Sequence, residues 1–460
     1  MSLRLFNSLS RSKEELAPLA PPKVGLYTCG PTVYNFQHIG NYRTYVFEDV
    51  LVRTLKLLGF APYRVMNVTD VGHLTSQGDE GEDKMEVGAA REGKTAWDVA
   101  KFYTAAFQKD CESLNLLEPD VLCRATDYIP EQIALVARLD KKGFVYKTSD
   151  GLYFDTAKLP DYGKLMTREH LDGLKSGARV EANPEKKHLT DFALWKFSPK
   201  DKTRQMEWDS PWGKGFPGWH VECSAMAMKF LGETLDIHCG GIDHVPVHHT
   251  NEIAQSEGAT GKPFSKVWMH AEFLLMNSAK MAKSSGGFVT LADLEPLGFS
   301  PLDYRYLCFT AHYRKQLDFT WESLESAKTA RRRLSEAARA LAGESAKPGC
   351  AEFSGRFREA LSDDLNVPAA LAVVWDALKS DLPGGAKRSF LNEAESVLAL
   401  DVFRAPADAI VDPQVAELVR KRDAARQAKN FAESDRLRKE IEAMGWIVKD
   451  TKDGARAVRK

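Results

Sequence analysis

The 460-residue chain contains no run of 18 or more apolar residues, which excludes a helical membrane span of ordinary length. It also lacks an excess of charge of either sign. Lys and Arg number 63 against 64 Asp and Glu, a net of −1, so any attraction to nucleic acid must come from a local surface. Cysteine is sparse: seven residues, an odd number at irregular spacing, do not suggest a disulfide framework and point to a reducing cytoplasm. In that setting, cysteines brought together more often serve metals or catalysis than crosslinks. The first thirty residues have no long apolar core, and Glu14 and Glu15 argue against a transit peptide. No internal repeat is present. Hydrophobic residues at 43% and charged residues at 28% are ordinary for a folded globular protein, and the length suggests about three domains.

Val24–Thr28 is a short β-prone run that stops at the turn signal Cys29-Gly30-Pro31. Arg43–Leu58 follows with Val46, Val50, Leu51, Leu55 and Leu58 at helical spacing, and Gly59 ends it. Tyr63–Val68 is the next strand, so Val24–Val68 forms a β-α-β unit, the seed of a parallel sheet. Helices are expected over Ala96–Leu114 and Ile129–Lys142, and a short-stranded insertion from Gly151 to about Phe197. The β/α pattern resumes near Trp208, with strands at Leu235–Ile237 and Val267–His270 and a histidine-bearing helix between them. After Pro301 the sequence is helical, and Arg331-Arg332-Arg333 is expected to be a solvated helix face. Ala405-Pro406 marks a linker, followed by charged helical sequence over Gln414–Met444 and a tail with strand character.

Three groups of residues carry chemistry. His38-Ile39-Gly40-Asn41 lies between the first strand and its helix, where a doubly wound sheet offers free backbone N–H groups and a positive dipole end to phosphates. Lys280-Met281-Ala282-Lys283-Ser284, with Ser285-Gly286-Gly287, makes a cationic clamp suited to charge on a triphosphate. Cys29, Cys223, His248 and Glu252 supply soft and borderline ligands for one tetrahedral metal. His248 and Glu252, four apart, share a helix face, but so do His249 and Glu252, and spacing does not choose between the histidines. Cys239 is expected to be buried as a small apolar residue, and Cys111, Cys123, Cys308 and Cys350 to be structural.

The first two motifs, in this order, resemble the HIGH and KMSKS signatures of class I aminoacyl-tRNA synthetases. YTCGPTVYN (27–35), NVTD (67–70), PGWHVECSAM (217–226), DIH (236–238), NEIAQSEG (251–258) and SDRLRKEIEAMGWIVKDT (434–451) narrow the resemblance to cysteinyl-tRNA synthetases, over essentially the whole chain. The resemblance implies an α/β fold. A doubly wound, Rossmann-like parallel-sheet catalytic domain in two halves (1–115 and 206–300) would flank a connective insertion (116–205). A stem-contact and helical-bundle domain (301–404) and a small α+β anticodon-binding domain (405–460) would follow. It implies Zn2+ on Cys29, Cys223, His248 and Glu252, in contact with the thiolate of substrate cysteine. Serine is nearly isosteric, but its hydroxyl is a poor zinc ligand, so it is rejected without an editing site. Thr69, Trp219 and His238 are implied in the amino-acid pocket together with Cys29. His220 is a further candidate there. His38, Lys280 and Lys283 would act on the ATP phosphates, with Gly40, Asn41 and Lys283 binding the nucleotide and Mg2+ accompanying it. The implied partners are tRNA(Cys), L-cysteine and ATP, and the implied state is a cytoplasmic monomer.

This chain departs from the family pattern in places. Asn41 replaces the second histidine of HIGH, Ala282 replaces a serine, and Val247-His248-His249-Thr250-Asn251-Glu252 replaces Pro-His-His-Glu-Asn-Glu. Val71-Gly72-His73 stands where more acidic residues are usual. At the far end, Gln414–Lys460 holds 13 Lys and Arg against 8 Asp and Glu, a local net of +5 suited to phosphate contact. Trp446 there is a candidate for stacking on an anticodon base. Ala455-Arg456-Ala457-Val458 stands where relatives often carry a tryptophan. A related ligase that joins cysteine to an amino-sugar in mycothiol synthesis shares the zinc and nucleotide motifs but lacks the tRNA-reading tail, and Ser434–Thr451 favours tRNA. A non-catalytic zinc protein that binds RNA would not need His38, Lys280 and Lys283 together.

Overall fold

The computed structural model describes residues 2–72, 83–167, 183–199, 204–276, 279–280, 288–404, 413–451 and 454–459. Its centre is a parallel sheet of β1 (Lys23–Thr28), β2 (Ala61–Val68), β3 (Val121–Arg124), β4 (Leu235–Gly241) and β5 (Ser265–Ala271), in the spatial order β3-β2-β1-β4-β5. Strands covered on both faces need apolar residues at nearly every position, and β4 is buried along six of its seven residues. Leu26, Ile237, Cys239, Val267 and Met269 pack on one side with Phe47, Leu51 and Leu55 of α1 (Ile39–Leu57). Tyr27, Val65 and Trp268 pack on the other with Cys223 and Met226 of α2 (Trp219–Leu231). Strand order reverses between β1 and β4, and the crevice beyond the carboxyl ends of these strands is where a doubly wound sheet binds ligands.

The expected Val24–Val68 unit is present, but its helix starts at Ile39, not Arg43, because His38 caps it. A four-stranded antiparallel sheet of Val145–Lys147, Gly151–Phe154, Phe192–Phe197 and Gly215–Pro217 forms the insertion. Its core joins Phe154, Phe192 and Trp195 to Leu135, Val136 and Leu139 of the Ile129–Lys141 helix. Two boundaries differ from expectation. Val121–Arg124, expected in the insertion, is the edge strand of the parallel sheet, and the antiparallel sheet continues past residue 205 to Pro217. Four and three residues are too short to show an alternation that would assign either strand from sequence.

The chain divides into two compact units, 1–333 with 344–400 and 334–343 with 401–460. In the first, the helices Pro301–Cys308 and Gly384–Leu398 are tied to α1 through buried charge. Arg305, fully buried, donates to Asp49 Oδ2 at 2.5 Å and to the Leu398 and Leu114 carbonyls at 2.7 and 3.0 Å. Arg53 reaches Asp49 at 2.8 Å from the same helix. Arg331 is not part of a solvated face: it bonds Asp303 at 2.7 Å, while Arg332 and Arg333 are exposed. In the second unit, the helices Pro413–Gln427 and Phe431–Ala443 pack on a hairpin of Trp446–Thr451 and Gly454–Arg459. Trp446 is 4% exposed among Val415, Val419, Ile441 and Val448, so it is a core residue of this unit and presents no face to a base. The hairpin also accounts for Ala455–Val458: the stretch is a strand, with Ala457 in the core.

Two consequences can be measured. Asp49→Asn leaves the Arg305 cation without a counter-charge in a dry site, and should lower the stability of the first unit by about 3 kcal/mol or more, visible as a lower melting midpoint. An unchanged midpoint would mean that Asp49 is not the charge partner. Burial pushes the Glu48 carboxyl up to about 7, in spite of Arg64 at 2.9 Å. A raised acid favours the fold at low pH and loses that contribution as pH climbs through its folded pKa. The melting temperature of Glu48→Gln relative to the unsubstituted protein should therefore rise between pH 5 and pH 8, and a difference that is flat or falls would contradict this.

Candidate functional site

A cavity of about 470 Å³ opens at the carboxyl ends of β1, β2 and β4. One wall is the start of α1. His38 Nδ1 accepts from the Asn41 backbone N–H and Asn41 Oδ1 accepts from the His38 N–H, both at 3.2 Å, a reciprocal capping box. Asn41 thus closes the cap, and His38 is held in orientation at the cavity edge. Gly40 suits this packing, since a Cβ there would press on the His38 ring at 3.0–3.1 Å. At the end of β1, Gly30 N–H donates to Asn67 Oδ1 at 2.8 Å, and a Cβ on Gly30 would lie 1.8 Å from the Asn67 carbonyl oxygen. Thr69 extends the β1–β2 pairing through bonds with Pro31 and Val33, and its hydroxyl accepts from Asn67 Nδ2 at 3.1 Å.

The cavity floor is the cysteine and histidine cluster. Cys29 follows β1, Cys223 lies on α2, and a π-turn over Val245–His249 leads into α3 (Thr250–Thr260), which carries Glu252. Ligand atoms of Cys29, Cys223, His248 and Glu252 all lie within 4.8 Å of one another, and all four residues are buried. Two thiols, an imidazole and a carboxylate at that spacing fit a single metal ion. A second, overlapping set of Cys29, His238, His249 and Glu252 meets the same criterion among the described residues. The two sets differ in access. Cys29, Cys223 and His248 line the cavity, whereas His238 and His249 lie behind it.

Buried charge organises the cluster. Glu252 Oε2 is hydrogen-bonded to His238 Nε2 at 3.1 Å, and His248 Nε2 lies 3.1 Å from Oε1 as an ion-pair contact. Burial would raise this carboxyl, but His238 and His248 outweigh it and hold it at about 2. Burial likewise opposes the charged form of His248, yet Glu252 and Cys223 raise it to about 10. Cys223 drops to about 7, first through its hydrogen bond with Cys29 and helped by His248, while burial drives Cys29 well up. Behind the ligands, His220 Nδ1 meets His248 Nδ1 at 3.0 Å, and a chain runs from Cys29 Sγ to His249 Nε2 (3.3 Å), His249 Nδ1 to His270 Nε2 (2.7 Å) and His270 Nδ1 to Ser8 Oγ (2.7 Å). Such outer hydrogen bonds fix imidazole tautomer and ring orientation. Burial keeps His249 and His270 well below the usual histidine range.

Trp219, at the first turn of α2, stacks on His248 with centroids 4.4 Å apart and lines the cavity with Thr69 and His38. His238 does not belong with them. Its ring is fully buried, stacked on Trp268 at 4.5 Å, its Nε2 is bonded to the candidate ligand Glu252, and it is not among the residues that line the cavity. Lys280 falls in the two-residue strand Ala279–Lys280, paired with Leu275 in the hairpin that leaves the cavity wall, and Lys283 lies outside the described residues. Two residues escaped the sequence reading. Arg43 of α1 is 3% exposed and donates to the Glu272 carbonyl at 2.9 Å and to those of Phe273, His312 and Lys315, fixing the segment that leads into that hairpin. Lys84, at the head of the Lys84–Glu92 helix, lines the cavity beside Trp219.

Comparison with known proteins agrees with this geometry. Residues 15–329 match the family model of the tRNA synthetases class I (C) catalytic domain, residues 356–380 the DALR domain, and residues 409–456 the cysteinyl-tRNA ligase anticodon binding domain. The chain is 51% identical to cysteine–tRNA ligase 1 of Burkholderia lata, over 99% of this chain and 97% of the relative. It is 43% identical to the cysteine–tRNA ligase of Treponema denticola, over 98% of both. Mycobacterium tuberculosis methionyl-tRNA synthetase bound by methionyl-adenylate shares the fold at a TM-score of 0.55 and 16% identity, covering 82% of this chain and 90% of that one. A switch-point cavity beside a capped helix, floored by two cysteines, a histidine and a glutamate, and full-length identity of this order lead to one conclusion: the chain belongs to the cysteine–tRNA ligases, within the class I aminoacyl-tRNA synthetases.

Proposed function

We propose that this protein activates L-cysteine with ATP and transfers it from cysteinyl-adenylate to the 3′ end of tRNA(Cys). The observation that carries the reading is the Cys29–Cys223–His248–Glu252 group, set where the strand order reverses and open to the same cavity as His38. We assign zinc to this set and not to the one containing His238 and His249, because its two thiols make it the softer set and three of its members face the cavity. When bound, zinc supplies a soft Lewis-acidic contact for the substrate thiolate. Trp219 and Thr69 bound the amino-acid side of the cavity, and Gln37, Gly40 and Asn41 lie toward the start of α1.

In the first step the cysteine carboxylate attacks the α-phosphorus of ATP and pyrophosphate leaves; in the second a terminal ribose hydroxyl of tRNA attacks the adenylate carbonyl and AMP leaves. Neither step needs a protein nucleophile, so the protein's part is alignment and charge stabilisation. His38, held by its cap, is placed to donate to a phosphate oxygen. Lys280 and Lys283 take up charge on the departing pyrophosphate, and Mg2+ accompanies the nucleotide. In this assignment the two catalytic halves, the first including Val121–Arg124, flank an insertion whose sheet ends at Pro217, with 301–404 the stem-contact bundle and 405–460 the anticodon reader. The net +5 over Gln414–Lys460 supports tRNA over an amino-sugar as the acceptor. We read the protein as a cytoplasmic monomer; no helix among the described residues is long and apolar enough to cross a membrane.

Pyrophosphate exchange and charging of purified tRNA(Cys) with labelled cysteine test this reading together. Both should depend on cysteine, and serine should support neither at comparable concentration. Cysteine-dependent exchange with coupling to an amino-sugar and no charged tRNA would replace the acceptor, and serine exchange equal to cysteine exchange would remove the role given to the metal group.

A further inference from the structure

Lys84 places an ammonium in the cavity, and among the described residues no carboxylate pairs with it, although Asp243 and Glu272 line the same cavity. Among the described lining residues it is the only lysine or arginine. The two carboxylates nearest to it in its helix are committed elsewhere. Asp83 caps the helix by accepting from the Met85 and Glu86 N–H groups at 2.7 and 3.1 Å, and it also pairs with Arg204. Glu86 accepts from the Gln205 backbone and side chain at 2.9 and 3.1 Å. The contact that remains to Lys84 is the indole of Trp219, with Nζ 5.6 Å from the ring centroid. A cation left over an aromatic face in a partly dry site is unusual, because burial penalises it, and that burial draws the Lys84 pKa down.

The same indole stacks on His248, so Trp219 ties the ammonium to the candidate metal group. An amino acid whose thiol enters that group extends its other end, a carboxylate, along the indole. We propose that Lys84 receives the α-carboxylate of the bound cysteine and orients it for attack on ATP, an assignment that rests on the cysteine-activating function proposed above. The pairing is a charge-assisted hydrogen bond in a site sheltered from water. It requires no proton transfer and forms no covalent bond. The Asp83 cap and its pairing with Arg204 hold the first turn of the helix, so Lys84 is presented from a fixed backbone.

The test compares cysteine with two thiols that lack its anionic carboxylate, L-cysteinamide and cysteamine. Binding to the zinc-replete full-length protein is measured by titration calorimetry without ATP. The unsubstituted protein should prefer cysteine to cysteinamide by about 10- to 100-fold, the range of a charge-assisted bond. Lys84→Met and Lys84→Gln should abolish that preference while cysteinamide affinity stays within about 2-fold, and Lys84→Arg should retain most of it. Because the readout is a ratio within each variant, a general loss of stability does not imitate it. Equal weakening of all three ligands, or a preference that survives in both neutral variants, would overturn the role of Lys84. Failure of the unsubstituted protein to exchange pyrophosphate with cysteine would instead overturn the proposed function, so the two failures are distinguishable.

Discussion

A carboxylate with no access to water, Glu252, sets the terms for the centre of this protein. Its charge is held by His238 on one oxygen and His248 on the other, so both imidazoles are drawn to one point. That leaves Cys223 and Cys29 in contact with each other and with His248, sharing protons in a buried site. Taking such charges out of water is costly unless partners are close. A divalent cation satisfies carboxylate, thiolates and imidazole at once, which is the physical reason to read the cluster as a metal group. The outer histidines follow from the same demand: His220 meets His248 Nδ1, and the His249–His270–Ser8 chain meets Cys29 Sγ.

α1 carries this centre to the rest of the first unit. Its first turn is the His38–Asn41 cap at the cavity. One turn on, Arg43 grips the carbonyls leading into the Lys280 hairpin, and further along Glu48 and Asp49 bond to Arg64 and Arg305. Nucleotide edge, signature hairpin and helical bundle are thus referenced to a single rigid element. The strand that carries Lys280 follows the segment that Arg43 holds.

Much of this was legible in the sequence, for identifiable reasons. Cys29, Cys223, His248 and Glu252 are metal-ligand types visible in the sequence, and the fold brings them together. What the sequence does not show is tertiary. His238 belongs to a conspicuous motif, but alternation along β4 sends Ile237 and Cys239 into one core and His238 to the opposite face behind Glu252. Trp446 sits in a basic segment, and only the packing of two helices on a hairpin shows it to be core. Arg43 gives no local sign that it will serve four carbonyls. Lys84 matters because Asp83 and Glu86 are occupied by Arg204 and Gln205, over a hundred positions away.

The central claim is that the buried cluster reads the thiol of the substrate. X-ray absorption at the zinc edge tests it most directly, on the zinc-replete protein with and without cysteine. The account predicts two sulfur scatterers from Cys29 and Cys223, a third on addition of cysteine, and no change with serine. A sulfur count that cysteine does not alter, or one sulfur with added nitrogen as the His238 and His249 set would give, would contradict it.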